Sequence, residues 1–278
     1  VVLLHGMTES IFESTGGSKM VNVIPLAFVL VVTMTTAGDM QTMIGTGMAT
    51  MEELDILAKA LLPTLAAAVA AGGAIVSASV QNVATVFFAN LLITLIREVL
   101  LPLVYCYIAA VTANAILPQQ PLKGIAVVLR KGITWLLTGV LVVFTGYLSI
   151  TNAAANSADT LTLQLTRSAI STAVPVVGGI ISRATSSLLA GAGLLKSSLG
   201  VFGMLAVLAT CLTPFVSMGV QYILYKLTAF FAGLSGGGRV VELIDALGNA
   251  FGLVLGMVGA CAALLLISIT SSISVVIA

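Results

Sequence analysis

The sequence contains little charge and almost no histidine. Only 8% of its 278 residues are Asp, Glu, Lys or Arg, whereas a soluble domain devotes about a quarter of its residues to charge. The single histidine, His5, leaves almost nothing from which to build a metal cluster or a histidine-based proton relay. The net charge of +1, without a basic patch interleaved with aromatics, argues against a nucleic-acid partner. We therefore expect no metal, no cofactor and no catalytic residue, and the sequence does not indicate an enzyme.

Cysteine is scarce as well. Cys106, Cys211 and Cys261 all lie in apolar stretches and lack a CxxC spacing. An odd and dispersed set is typical of small core residues rather than of a disulfide framework or a metal site. The sequence also lacks a GxxxxGK[ST] phosphate-binding loop, because the glycines before Arg239 do not have that spacing. Any use of ATP would have to come from another polypeptide.

Apolar residues make up 59% of the chain, and the mean hydropathy is +1.18. Uncharged runs cover residues 60–96, 132–158, 197–225 and 246–278, and each exceeds the roughly 20 residues that cross a bilayer as a helix. The runs are continuous rather than alternating, which favours helices over the strands of a membrane barrel. These features predict an all-α, polytopic transmembrane protein with broken helices. Kinks are expected at Pro63, Pro102, Pro175 and Pro214.

Polar and glycine-rich positions divide the chain into predicted spans of about 20 residues. Breaks are expected at Gly72-Gly73, at Gln81-Asn82, at Arg97-Glu98 and in a loop over residues 152–160. Residues 1–55 are interpreted as a helix stub, a first full span and an acidic connector. Residues 56–152 and 153–278 then form two membrane units.

The two units are predicted to be an internal repeat. Pro63 and Pro102 are separated by the same number of positions as Pro175 and Pro214. The last span of each unit also contains the tripeptide Ser-Ile-Thr, at residues 149–151 and 268–270. An even number of crossings in each unit would give the copies the same orientation, as in the parallel repeats of transporters.

A basic segment indicates the orientation in the membrane. Lys123, Arg130 and Lys131 form a dense basic loop beside two apolar spans, and the positive-inside rule places such a loop in the cytoplasm. Counting crossings from this loop brings Lys226 and Arg239 to the same side.

Residues 167–196 form a polar, cationic insert between apolar blocks. A charge in the middle of a bilayer costs at least about 2.5 kcal/mol, so it is usually placed in a watery cavity or reaches the headgroups. One interpretation is a polar lining made of Arg167, Ser182, Arg183, Ser186 and Lys196. The alternative is an interfacial helix whose arginine lies among lipid phosphates.

The last span carries a strip of small residues. Gly248, Gly252 and Gly256 recur at every fourth position, which places them on one helix face and allows close helix packing in lipid. The partner is either another helix of the same chain or a neighbouring subunit, so a homo-oligomer is one expectation.

Three segments carry a family resemblance. They are LLPTLAAAVAAGGAIVSASV from Leu61, TRSAISTAVPVVGGIISRATSSLLAGAGLLKSSLGVFG from Thr166 and YILYKLTAFFAGLSGGG from Tyr222. The central segment is the most specific of the three. On these segments the chain resembles the stage III sporulation protein AE family of endospore-forming bacteria.

The resemblance implies a multi-pass protein of the mother-cell membrane that surrounds the forespore. Its implied partners are the other proteins of the stage III sporulation A operon, including an ATPase, and the stage II sporulation protein Q complex. The implied function is that of a membrane subunit in a secretion or feeding channel that forespore development needs. The alternative is a non-conducting scaffold that anchors the ring-forming channel proteins.

Overall fold

The computed structural model describes residues 23–116, 120–173, 178–234 and 238–274. Within these ranges every regular element is a helix, so the predicted all-α, polytopic class is confirmed. The elements are α1 (Val23–Ala71), α2 (Ile75–Leu95), a π-helical turn (Ile96–Leu100), α3 (Leu101–Ile116), α4 (Gln120–Ala173), α5 (Gly178–Leu234) and α6 (Gly238–Ser274).

The described helices are longer than the predicted spans. Five of them, counting α2 through α3 as one, are long and apolar enough to cross a membrane, and their apolar segments contain 37–48 residues. At 1.5 Å per residue these segments measure about 55–70 Å, whereas the hydrocarbon core of a bilayer is about 30 Å thick. The predicted division into spans of about 20 residues is therefore wrong.

The predicted break at Gly72-Gly73 is present. Helix α1 ends at Ala71, and Gly73 adopts a φ of 90°, where an L side chain would be strained. A Cβ at Gly73 would also lie 2.8 Å from a methyl carbon of Leu163. Glycine is required here by both the backbone conformation and the close approach of α4.

Three other predicted interruptions are helical. Arg97 and Glu98 lie in the π-helical turn, where the N–H of Leu101 donates to the carbonyl of Ile96, so the backbone continues into α3. Gln81 lies in the middle of α2, and residues 152–160 lie within α4. The acidic segment before residue 56 is likewise part of the continuous α1.

The four prolines lie in different settings. Pro63 and Pro214 lie inside α1 and α5, and Pro102 is the second residue of α3, directly after the π-helical turn. Pro175 lies outside the described residues. Both the proline kinks and the internal repeat stay predictions.

Contact density divides the chain into two compact units. Unit 1 comprises residues 1–50, 94–137 and 212–259, and unit 2 comprises residues 51–93, 138–211 and 260–278. Helix α6 is 56% buried along its most apolar stretch, compared with 22–33% for the other membrane-length helices. It therefore supplies a large share of the core in each unit.

The core of unit 1 is built on α6. Phe251, Val254 and Met257 are fully buried there, and the ring of Tyr225 from α5 stacks on Phe251 with a centroid distance of 4.7 Å. Burying one such side chain is worth about 1.5–3 kcal/mol. Further buried members come from the neighbouring helices: Val29, Met43, Ile96, Leu100, Val104, Ile133 and Met218.

The core of unit 2 has its own aromatic contacts. Phe88 of α2 packs on Phe144 of α4 with ring centroids 5.2 Å apart, and Phe144 is fully buried. Aromatic pairs of this kind add about 0.5–1.5 kcal/mol to the burial of their area. Other buried members are Leu54, Leu65, Val69, Leu92, Leu148, Val207 and Leu264.

Gly47 provides a test of the packing in unit 1. A Cβ at Gly47 would lie 2.8 Å from a methyl carbon of Val254, whereas a Cβ at Gly45 of the same helix would meet nothing within 4 Å. We expect Gly47→Ala to destabilise the protein by about 1–3 kcal/mol, because the stiff, fully buried Val254 cannot move aside. Gly45→Ala should be neutral or stabilise by up to about 1 kcal/mol, because alanine favours the helix.

Unfolding by sodium dodecyl sulfate in mixed micelles measures the stability of both variants. The second substitution Val254→Ala should restore part of the stability that Gly47→Ala loses. Equal stability of the two single variants would contradict this packing.

Candidate functional site: a polar seam and a cationic cavity

The structure describes the predicted polar lining only in part. Arg167 lies in α4, and Ser182, Arg183 and Ser186 lie in the first turns of α5, but their side chains are outside the described part of the structure. Lys196 of α5 is described, and only 4% of it is exposed. A lysine is therefore buried inside unit 2, whereas the role of the five residues as a lining stays a prediction.

A row of uncharged polar side chains is buried in unit 2. Ser77, Gln81 and Thr85 are at most 3% exposed, and their spacing of four residues places them on one face of α2. The Nε2 of Gln81 donates to the carbonyl of Ser268 in α6 over 2.8 Å. The hydroxyls of Thr85 and Ser268 are 2.6 Å apart.

The same row continues to α4. The hydroxyl of Ser77 donates to Oδ1 of Asn156 over 3.1 Å, and Nδ2 of Asn152 donates to the hydroxyl of Ser271. Together these contacts hold α2, α4 and α6 to one another by hydrogen bonds between side chains. We call this set the polar seam: Ser77, Gln81, Thr85, Asn152, Asn156, Asp159, Ser268 and Ser271.

Asp159 ends the polar seam at the N-terminus of α2. Its two carboxylate oxygens each accept a backbone N–H, from Val76 and from Ser77, over 2.9 Å. These donors belong to the first turn of a helix, which has no internal partners for them and attracts negative charge. Asp159 belongs to the segment that the sequence predicted as a loop, but it lies inside α4 and is only 5% exposed.

Two amide oxygens beside the seam have no hydrogen-bond partner in the part of the chain that the structure describes. They are Oδ1 of Asn82 and Oδ1 of Asn152. Asn82 also lines a cavity of about 10 Å³ with Gln81, Ser268 and Ser272, which is close to the space that one water molecule needs. The seam therefore has an unpaired oxygen at its member Asn152, and a second one lies beside it at Asn82.

Sequence reasoning missed the polar seam, although part of its signal was present. The spacing of Ser77, Gln81 and Thr85 in an apolar run predicts one polar helix face. The partner Ser268 could not be recognised in the same way, because it lies 183 positions from Thr85.

Unit 1 contains a cavity of about 600 Å³ lined by charged side chains. Lys226 donates to Asp245 over 2.7 Å and to Asn249 over 2.8 Å. Lys123 donates to Glu242 over 2.9 Å. The cationic residues that line the cavity are Lys123, Arg130, Lys226 and Arg239. These four residues surround what we call the cationic cavity. Their predicted location on one side of the membrane stays a prediction.

The glycine strip of α6 packs partly on α5. A Cβ at Gly248 would lie 3.2 Å from Cβ of Tyr225, and one at Gly252 would lie 3.1 Å from the ring of Tyr222. Gly256 has no atom within 4 Å of such a Cβ position among the described residues. At the first two positions the strip therefore faces another helix of the same chain.

Comparisons with known proteins agree with the resemblance seen in the sequence. A family model described as "Stage III sporulation protein AE (spore_III_AE)" matches residues 1–276. A curated protein of Bacillus subtilis (strain 168), "Stage III sporulation protein AE", is 26% identical over 191 residues, which is 69% of this chain and 48% of the relative. The chain thus spans about half the length of that relative. No solved structure matches.

The carboxylate of Asp159 can be tested as the cap of α2. We expect Asp159→Ala to destabilise the protein by about 0.5–2 kcal/mol, because two N–H groups of the first helical turn lose their acceptor. Asp159→Asn should cost less, because the amide keeps one oxygen. The exposed Ser157 of the same helix provides the control Ser157→Ala, with an expected change within about 0.5 kcal/mol. Unfolding in mixed micelles measures all three, and an Asp159→Ala variant as stable as the control would exclude the cap.

The contact between Thr85 and Ser268 can be tested by a double-mutant cycle. Thr85 already donates to the carbonyl of Gln81 over 2.8 Å, so Ser268 must be the donor in their shared hydrogen bond. Thr85→Val should cost about 1–3 kcal/mol, because it leaves the buried hydroxyl of Ser268 without an acceptor. Ser268→Ala should cost less, and the double variant should cost less than the sum of the two.

The control for this cycle is Thr145→Val. Thr145 is exposed in unit 2 and donates to the carbonyl four residues earlier over 2.8 Å, as Thr85 does. If Thr85→Val costs no more than Thr145→Val, or if the two seam substitutions are additive, the hydrogen bond across the seam does not contribute.

Proposed function

Because the chain belongs to the stage III sporulation protein AE family, we propose that it is the membrane-embedded transport subunit of a sporulation-specific secretion or feeding channel. The channel links the mother cell to the forespore, and development of the forespore needs it. In this proposal the protein lies in the mother-cell membrane around the forespore.

The polar seam is the observation that carries this proposal. Five of its eight members are buried and the other three are half-buried, within helices that are otherwise apolar enough to cross a membrane. Exchanging one hydrogen bond for another changes free energy by only about 0.5–1.5 kcal/mol, whereas opening an apolar contact to water loses the whole hydrophobic term. If α2, α4 and α6 separate anywhere in unit 2 to admit a polar solute, the seam is the least costly place.

The predicted lining adds a cation to the same unit. Lys196 is buried, and a buried ammonium is retained only where oxygen atoms or water stabilise it. Arg167, Ser182, Arg183 and Ser186 belong to this proposal as further members of the polar lining.

The proposed partners supply what this chain does not encode. The sequence has no phosphate-binding loop, so the energy of ATP would come from the ATPase of the stage III sporulation A operon. The other proteins of that operon and the stage II sporulation protein Q complex would continue the channel, and several copies of this chain would surround it.

A non-conducting scaffold is the second candidate, and the same seam supports it. Hydrogen bonds between helices are worth about 0.6–2 kcal/mol each in lipid and hold helices in register. In a scaffold the seam would stay closed, and the protein would only anchor the ring-forming proteins of the channel.

Access of water to the seam distinguishes the two candidates. The three native cysteines are first replaced by alanine. All three were predicted to be core residues; Cys211 and Cys261 are buried, but the prediction is wrong for Cys106, which is exposed. Thr85→Cys or Ser268→Cys is then introduced, and membranes from sporulating cells are treated with a charged thiol reagent that does not enter lipid. A transport subunit should be labelled at both positions, because water reaches the open seam.

The control is Val83→Cys, on the same helix, where the native side chain is 69% exposed on an apolar surface. A channel subunit should label at the seam at least about 10-fold faster than at this control. It should do so only in membranes that contain the partner proteins. Seam cysteines that stay as unreactive as the control, in variants that still support forespore gene expression, would favour the scaffold and reject the conduit.

A further inference from the structure

The charges that line the cationic cavity do not balance. Its lining contains four cationic side chains and two carboxylates, Glu242 and Asp245. Both carboxylates are paired with lysines, over 2.9 Å and 2.7 Å. Among the described residues, Arg130 and Arg239 have no carboxylate within 4 Å. The cavity therefore carries a formal excess of two positive charges, both on exposed guanidinium groups.

Guanidinium groups favour one class of anion. The planar side chain presents five N–H donors in a fixed arrangement, which matches two oxygens of a phosphate or a carboxylate at once. Lys226 is already engaged by Asp245 and Asn249. An anion in the cavity would therefore bind at the arginines, and 600 Å³ is sufficient for a phosphate-containing headgroup.

Most of the remaining wall of the cavity is apolar. Val127 and Phe230 line it and are 46% and 63% exposed, and their neighbours Val128 and Phe231 are 68% and 59% exposed. These side chains belong to helices that are long and apolar enough to cross a membrane. A ligand that joins an anionic head to a long apolar part matches both walls, whereas a free anion would leave the apolar wall without a partner.

We propose that the cationic cavity is a binding site for an anionic phospholipid, with Arg130 and Arg239 contacting its phosphate and the apolar wall contacting its acyl chains. Basic pockets between membrane helices bind anionic headgroups by this chemistry. The inference is independent of the transport proposal, because it requires only that these helices lie in lipid.

The test uses the purified full chain in a nonionic detergent after removal of lipid. Phosphatidylglycerol and phosphatidylcholine of the same acyl composition are added in turn, and bound lipid is counted by native mass spectrometry across a titration. We expect phosphatidylglycerol to bind at least about 10-fold more tightly than phosphatidylcholine. In Arg130→Gln/Arg239→Gln the affinity for phosphatidylglycerol should fall by about 10-fold or more, because two cationic contacts are lost.

The matched control is Lys131→Gln/Lys59→Gln, which also removes two positive charges. Both lysines are exposed and do not line the cavity, so this variant should bind phosphatidylglycerol as the unmodified protein does. Equal loss in the two double variants would mean that net charge rather than the cavity attracts the lipid, and would overturn the proposal. Equal binding of the two lipids to the unmodified protein would overturn it without any variant.

Two further arms identify the occupant. Inorganic phosphate or a hexaglutamate peptide, added at the concentration of the lipid, should not displace phosphatidylglycerol, and displacement by either would assign the cavity to a free anion or to an acidic protein segment. If Arg130→Gln/Arg239→Gln does not fold, Arg130→Lys/Arg239→Lys replaces it. The lysine variant keeps the charge but loses the two-point geometry, so it should bind several-fold more weakly; unchanged affinity would contradict the proposed phosphate contacts.

Discussion

Hydrogen-bonding groups in apolar surroundings must find partners within the protein, and this constraint governs the structure. For the backbone it is met by helices of 37–57 residues, with α2 and α3 joined through a π-helical turn. For side chains it is met by the polar seam, where hydroxyls and amides of α2, α4 and α6 pair with one another. A buried polar group without a partner would cost several times what each hydrogen bond contributes.

The two units meet this constraint with different chemistry. In unit 1 the polar groups are mainly ionic, and Lys226 between Asp245 and Asn249 is the best-connected member. In unit 2 most of the polar groups that pair between helices are uncharged, and the carboxylate of Asp159 is an exception. Ionic groups favour a role in binding charged ligands, whereas uncharged hydrogen bonds can be exchanged at low cost. The cationic cavity therefore suits an anionic lipid, and the polar seam is where the helices of unit 2 separate at the lowest cost.

Residues 152–160 show how a local signal can mislead. The segment is rich in Asn, Ser and Asp, which favour loops because their side chains compete for backbone hydrogen bonds. In the structure Asn152, Asn156 and Asp159 instead lie on one face of α4, where α2 and α6 supply their partners. Because these side chains form hydrogen bonds with the neighbouring helices, their intrinsic preference for a loop no longer determines the backbone conformation. The turn at Gly72-Gly73 was predicted correctly. Glycine is the residue that adopts a positive φ without strain, so the local sequence alone indicates the turn.

The sequence by itself determined the helical class, the apolar character of the helices, the turn at Gly72-Gly73 and the family, because composition and local motifs carry that information. The distribution of charge also predicts Lys123, Arg130, Lys226 and Arg239 on one side of the membrane, and the structure places the four around one cavity. Only the tertiary structure decided that α4 continues through its polar segment, that Thr85 meets Ser268 and that Gly248 packs on Tyr225. Each of these depends on a contact between residues that are far apart in the chain. The local sequence around either residue does not indicate which distant residue it will contact.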